Sequence, residues 1–337
     1  MRTVPAREMG LSRILGHVWG GWRWGPGVLA APKAAGFGTE ARHQLRRRGS
    51  SKRSGPLGDQ PFPGLLQLEN LSREGLVDVL RAAVVDQKGK PGEPTLCSVL
   101  PELSQSLGLR DRELQIVQAS GKETSGLVLL SSCPQTASRL QKFFIHSRRA
   151  QRPTATYCAV TDGIPATSEG NIQAALKLEH VDGVDLVIPV KSPSRKDFQE
   201  GVKRTLSHFH VVAMGSGCAL VQLQPLTVFP SQLQVHMVLQ LCPVLGDHTY
   251  SARVGTVLGQ RFLLPAESTK PQRQVLDGAL IRRLCLSPAQ SAQLPLHLHL
   301  HCLHLPGLRP REAPMKLLAP LPPYFSRTLQ CLGLHQQ

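Results

Sequence analysis

The chain has 337 residues, 41% of them apolar and 18% charged, which is enough apolar content for a core and excludes uniform disorder. The 39 Lys and Arg against 23 Asp and Glu give a net charge of +16, which calls for an anionic partner: nucleic acid, anionic lipid or a targeting receptor. No run of 18 apolar residues occurs, so no helix is expected to span a membrane.

The charge is uneven. Residues 1–53 hold eleven Lys and Arg but only Glu8 and Glu40, so +9 of the +16 sits in the first sixth of the chain. Leu11, Ile14, Leu15, Val18, Trp22 and Trp24 are interspersed with Arg2, Arg7, Arg13 and Arg23. An Arg-rich, acid-poor, amphipathic start is the profile of a mitochondrial transit peptide, and the apolar run is too broken for a secretory signal. Residues 1–50 are therefore read as a basic, disordered leader addressed to the mitochondrial matrix. Residues 51–68, rich in Gly, Pro and Ser, are read as a linker, and 69–333 as one domain.

Along that domain, Asn70 to Glu74 reads as a helix start, with Leu76, Leu80, Ala83 and Val84 at helical spacing. Gly89 to Pro94 is a turn. A strand is expected around Leu114 and Ile116, a loop over 121–126, a short buried strand over 127–130, and a helix over 136–147. Residues 156–161 read as a strand. Asp182-Gly183 marks a hairpin within 171–190, and Gly215-Ser216-Gly217 a turn. A strand over 219–224 and a helix over 232–241 follow. Finally, His297 to Leu305 alternates Leu and His, a strand with one polar face. Strands with interspersed helices give an α+β class with a mixed, mostly antiparallel sheet.

The eight cysteines form no C-x-x-C pair, so free and mostly buried thiols are expected. His297, His299 and His301 share one face of a strand and could in principle ligate zinc. With no carboxylate nearby to orient them, the polar outer face of a half-buried strand is preferred, and no metal is assigned. No phosphate loop and no G-x-S-x-G elbow occurs. Between Glu123 and Asp162 there is no acid, while Arg139, Lys142, Arg148, Arg149 and Arg152 fall there with His146. A cationic helix face followed by a basic loop suits an RNA backbone; a solvated helix face is the alternative.

Several stretches then resemble one family. Thr124-Ser125-Gly126-Leu127, a helix, and Thr156-Tyr157-Cys158-Ala159-Val160-Thr161-Asp162-Gly163 are similar to the H-R-L-D-x-x-T-S-G-L and K-x-Y-x-A-x-V-x-G pattern of RluA-type pseudouridine synthases. Pro243 to Asp247 with Tyr250 resembles H-P-I-L-G-D-x-x-Y, Leu296-His297 resembles L-H-A, and Ala319-Pro320-Leu321-Pro322 resembles A-P-L-P. The resemblance covers about residues 70–333. It implies a pseudouridine synthase fold and isomerisation of uridine in mitochondrial mRNA or rRNA, in support of mitochondrial translation. It implies no cofactor. Proteins of mitochondrial RNA processing or ribosome assembly are the partner class it implies. Thr124, Ser125, Gly126 and Tyr157 would then meet the RNA, Tyr157 by stacking near the flipped base. A core Tyr packed under Leu127 and Leu129 is the other reading of that residue.

The chain departs from the family pattern where chemistry is expected. The family's nucleophilic Asp lies four positions before the Ser of T-S-G, and here that position is Gly121, preceded by Ala119 and Ser120. The Lys of K-x-Y is Ala155, and R-x-H-Q-I-R becomes Phe229-Pro230-Ser231-Gln232-Leu233-Gln234. The N-K-P-x-G-L strand is absent before Thr95, as if a segment were deleted. A carboxylate is the one group the family's base detachment and reattachment requires. Glu123, two residues further on, is the nearest substitute. These departures keep two expectations open: an enzyme with an unusual catalytic residue, or a synthase fold that binds mitochondrial RNA without the chemistry.

Overall fold

A computed structural model of the chain describes residues 14–18, 62, 96–106, 109, 113–121, 123–181, 183–266, 270–307 and 313–334. The helix expected from Asn70, the turn at 89–94 and the strand expected to be missing before Thr95 lie outside the described residues.

Strand β1 spans Ile14–Val18, inside the stretch read as a leader. Helix α1 spans Leu96–Ser106 and β2 spans Gln115–Gln118. Strand β3, Ser125–Ser131, begins two residues earlier than its apolar run predicts and is buried throughout. Helix α2, Pro134–Arg149, starts with Pro at its first position, where the missing N–H is not needed. Its last turn holds His146, Arg148 and Arg149, cations that complement the negative end of the helix dipole. Ala137, Leu140, Phe144 and Ser147 form its buried stripe.

Strand β4 spans Ala155–Asp162. Strands β5, Glu169–Val181, and β6, Val184–Pro189, form the expected hairpin. Helix α3, Arg195–Gln199, is a short turn closed by a reciprocal Ser194–Asp197 cap. Strands β7, Lys203–Gly215, and β8, Cys218–Pro225, join through Ser216 and Gly217, both at positive φ, as a two-residue hairpin turn requires. Helix α4 spans Gln232–Leu239, and β9, Val254–Val257, pairs with β10, Gln260–Leu263. The chain continues through α5, Gly278–Arg283, α6, Pro288–Ser291, β11, Leu298–Leu305, β12, Met315–Leu318, and α7, Pro323–Leu332.

Among the described residues, ten strands form one sheet with the main order β1-β3-β11-β4-β8-β7-β5-β6. Only the short β3–β11 contact, His299 beside Ser125 and Leu300 beside Gly126, is parallel; the other pairings are antiparallel. Leu127, Leu129, Tyr157, Ala159, Val221 and Leu223 share one face and pack with α2 and α4. On the opposite face, Val128 and Leu130 pack with α1, and Val160 and Leu220 with α5 and α7. Because both faces are covered, the central strands read as nearly continuous apolar runs.

One expectation changes in the core. The His face of β11 is not an outer face: His297 and His299 are both 0% exposed. Each imidazole is satisfied by the protein instead. His297 lies 2.8 Å from the Pro295 carbonyl through Nδ1 and 2.8 Å from the Thr328 hydroxyl through Nε2. His299 Nδ1 lies 2.9 Å from the Ser125 hydroxyl. The described cysteines are free thiols, with Cys158, Cys218, Cys242 and Cys302 buried.

Candidate functional site

The loop between β2 and β3 carries the position at which the family pattern has its nucleophile. It closes as a turn, with the Thr124 N–H donating to the Gly121 carbonyl at 3.0 Å. Gly121 and Glu123 are exposed and Thr124 is half-buried. A Cβ placed on Gly121 would meet nothing nearer than the Thr124 hydroxyl at 4.0 Å, so the backbone here accepts a side chain.

The next two residues are a different case. Gly126 has a φ of +118°, and a Cβ there would come within 2.3 Å of the Leu300 carbonyl oxygen. Only glycine lets β3 and β11 approach this closely. The Ser125 hydroxyl is fully buried, with His299 Nδ1 at 2.9 Å and the Tyr324 hydroxyl donating to it at 3.4 Å. Ser125 and Gly126 therefore hold β3 against β11 and α7, a packing role that the RNA contact expected of both does not include.

Tyr157 also moves to the interior. It is 9% exposed, opposite Leu223 of β8 and Leu300 of β11, inside the largest apolar cluster. Burial raises its hydroxyl pKa, partly offset by the Ser120 side chain beside it. In this structure the ring packs as the core alternative describes. Its hydroxyl nevertheless faces the loop at Ser120.

A carboxyl group that the sequence reading did not single out faces this region: Asp247, 0% exposed. One oxygen, Oδ1, accepts the N–H groups of Thr249 and Tyr250 at 3.0 Å each. The other, Oδ2, has no hydrogen-bond partner among the described residues. Burial pushes the Asp247 pKa up to about 6, and the nearby Glu123 carboxylate adds to the rise. The N–H groups of Tyr250 and Thr249 and the Gln234 side chain oppose it. Gln234 lies at the last Arg position of the family's R-x-H-Q-I-R segment, on the buried N-terminal half of α4. Burial raises the Tyr250 hydroxyl pKa, and Ser231, which precedes that helix at a φ of +46°, is the first group to oppose the rise. The loop carrying Glu123, the start of α4 and the Asp247–Tyr250 turn thus converge. The Pro-Val-Leu-Gly-Asp run is the signal for Asp247, legible only as part of the family pattern.

The predicted cations separate into two surfaces. Arg139 and Lys142 are exposed on α2 beside Pro134, Gln135 and Ser138, and the Arg139 guanidinium donates to the Gly307 carbonyl at 3.1 Å. Arg148 and Arg149 face elsewhere, into a groove shared with Lys203 and Arg204 of β7. Arg152 is exposed in the loop just beyond. Counting charge along the chain passes over Lys203 and Arg204, because their neighbours Asp197 and Glu200 make that stretch look balanced.

Comparisons with known proteins agree with the fold and the motifs. The family model described as RNA pseudouridylate synthase matches residues 82–238. The chain is 76% identical to the human mitochondrial mRNA pseudouridine synthase RPUSD3, over 100% of both chains. It is 69% identical to the mouse protein of that name, over 98% of this chain and 100% of that one. It is 32% identical to the mouse mitochondrial pseudouridylate synthase RPUSD4, over 73% of this chain and 64% of that one. A solved structure of the human RNA pseudouridylate synthase domain containing 4 superposes with a TM-score of 0.58, at 25% identity, over 77% of this chain and 96% of that one. The chain belongs to the RNA pseudouridylate synthase family. The alignment with the human relative runs over 352 positions against 337 residues here, so the relative carries sequence that this chain lacks.

Proposed function

We propose that this protein isomerises uridine to pseudouridine in mitochondrial RNA, with mRNA the first class to examine. The observation that carries this is the 76% identity, end to end, with a protein named for that activity on mitochondrial mRNA. The reaction needs an anionic polymer held against a loop that can accept a flipped base, and a loop with Gly121 and Glu123 exposed, followed in sequence by an acid-free run that carries five Lys and Arg, suits it. Glu123 is the carboxylate this loop presents, with Asp247 buried behind it, and Gly121 stands where the family pattern has Asp. The reading divides the chain into a leader over 1–50, a linker over 51–68 and a synthase domain over 69–333. It places the protein in the mitochondrial matrix, among proteins of RNA processing or ribosome assembly. The +9 charge of the first 53 residues supports the address.

A second reading is favoured by one observation, the glycine at position 121: a synthase fold that binds mitochondrial RNA without chemistry. Pseudouridine formation in mitochondrial transcripts incubated with the purified protein separates the two. Conversion at defined uridines supports the enzyme. Binding without conversion leaves the scaffold, and neither binding nor conversion removes both.

A further inference from the structure

The last turn of α2 and the first residues of β7 meet across the end of β8. Arg148, Arg149, Lys203 and Arg204 line a groove of about 680 Å³ there, over an apolar floor that includes Val202 and Leu226. Among the described residues, no carboxylate lines it. The dipole of α2 accounts for two of these cations, but Lys203 and Arg204 stand on a strand, which has little dipole of its own. Four like charges on one wall repel one another unless an anion lies among them. The Arg204 guanidinium is steadied over the Phe198 ring at 5.2 Å from its centre rather than by an acid. The groove also connects to the candidate site. Thr227 on its wall donates to the Gln232 side chain at 3.0 Å, in the first turn of α4.

We propose that this groove is a docking track for a single-stranded stretch of the RNA substrate, separate from the loop that meets the reacting uridine. The cations take successive phosphates, and the apolar floor takes sugar or base faces. Arg139 and Lys142 lie outside this track. The inference rests on the RNA reading above and sharpens it, because it assigns the grip to two residues of β7 that the acid-free stretch does not contain.

The test uses the full chain and a short fluorescent single-stranded RNA of mixed sequence, with affinity measured across salt. Wild type, Lys203→Ala/Arg204→Ala and Arg139→Ala/Lys142→Ala are compared at matched melting temperature. The β7 pair is expected to weaken binding alike for different RNA sequences and to flatten the salt slope by about 1.4, roughly 0.7 per lost phosphate contact. The α2 pair is expected to leave the slope nearly unchanged. Arg149→Ala, on a different element, carries the same prediction at about half the size if the β7 pair does not fold. Wild-type binding with an unchanged slope in the groove variants overturns the inference and leaves the RNA reading standing. Absence of wild-type RNA binding sinks the RNA reading itself. Groove-dependent binding to phosphatidylglycerol vesicles but not to RNA overturns the inference in favour of a lipid surface.

Discussion

Positions 121 and 126 lie five residues apart, yet the fold treats them in opposite ways. At 126 the backbone is left-handed and the Leu300 carbonyl would sit 2.3 Å from any Cβ. At 121 the nearest atom is 4.0 Å away. Retention of T-S-G is therefore demanded by how β3 meets β11, whatever the protein does. Position 121 carries no such packing demand, so a side chain there leaves the architecture alone. A motif can report a fold faithfully while the chemistry beside it is free to change.

The largest effect expected from that contrast is on stability. Gly126→Ala should cost several kcal/mol, on the order of 3–5, because it adds backbone strain to a clash that neither strand can relieve. Thermal unfolding of the purified protein checks this; a melting temperature within a few degrees of wild type would contradict it. Tyr157→Ala comes next, removing a core ring that spans β8 and β11. A loss of about 3–5 kcal/mol is expected, with RNA affinity falling only as far as the protein unfolds. A stable Tyr157→Ala protein with weakened RNA binding would return the ring to the substrate.

Acid should loosen the same packed region. Burial lowers the pKa of His236, His297 and His299 to about 4, from an ordinary value near 6.5. The unfolded chain then binds more protons between those values, so their contribution is present above about pH 6.5 and is lost as pH falls toward 4. Each shift is worth roughly 3 kcal/mol at most. Asp247 acts with the opposite sign: its raised pKa favours the fold at low pH and works against it above about 6. Three histidines against one aspartate predict a net loss of stability from pH 6.5 to pH 4.5, measurable by denaturant titration. A stability that rises over that interval would mean the imidazoles are charged in the fold.

The same contrast separates what is legible in the sequence from what is not. Apolar runs announce β3, β4 and β8, and Asp182-Gly183 announces the β5–β6 hairpin. Strand β7 escapes recognition, because two of its inward positions are Thr205 and Ser207, both buried and bonded to groups on α4. Polar residues on both faces erase the period-2 signal. The buried face of β11 is misjudged for the same reason, since imidazoles with partners lie comfortably inside. At the site, the loop and its missing aspartate are visible in the linear pattern. Asp247 is legible only as one letter of the Pro-Val-Leu-Gly-Asp run, its burial beside Glu123 is not, and the Lys203–Arg204 pair gives no signal, because each gains its meaning from residues far away in sequence.

The most direct measurement is Gly121→Asp, with melting temperature and pseudouridine formation read on one preparation. The open position predicts a stability within about 0.5 kcal/mol of wild type and faster conversion of uridine in bound RNA, as a carboxylate returns to the loop. A variant that melts as low as Gly126→Ala, or one that converts uridine no faster than wild type, would contradict the view that position 121 belongs to the chemistry and not to the fold.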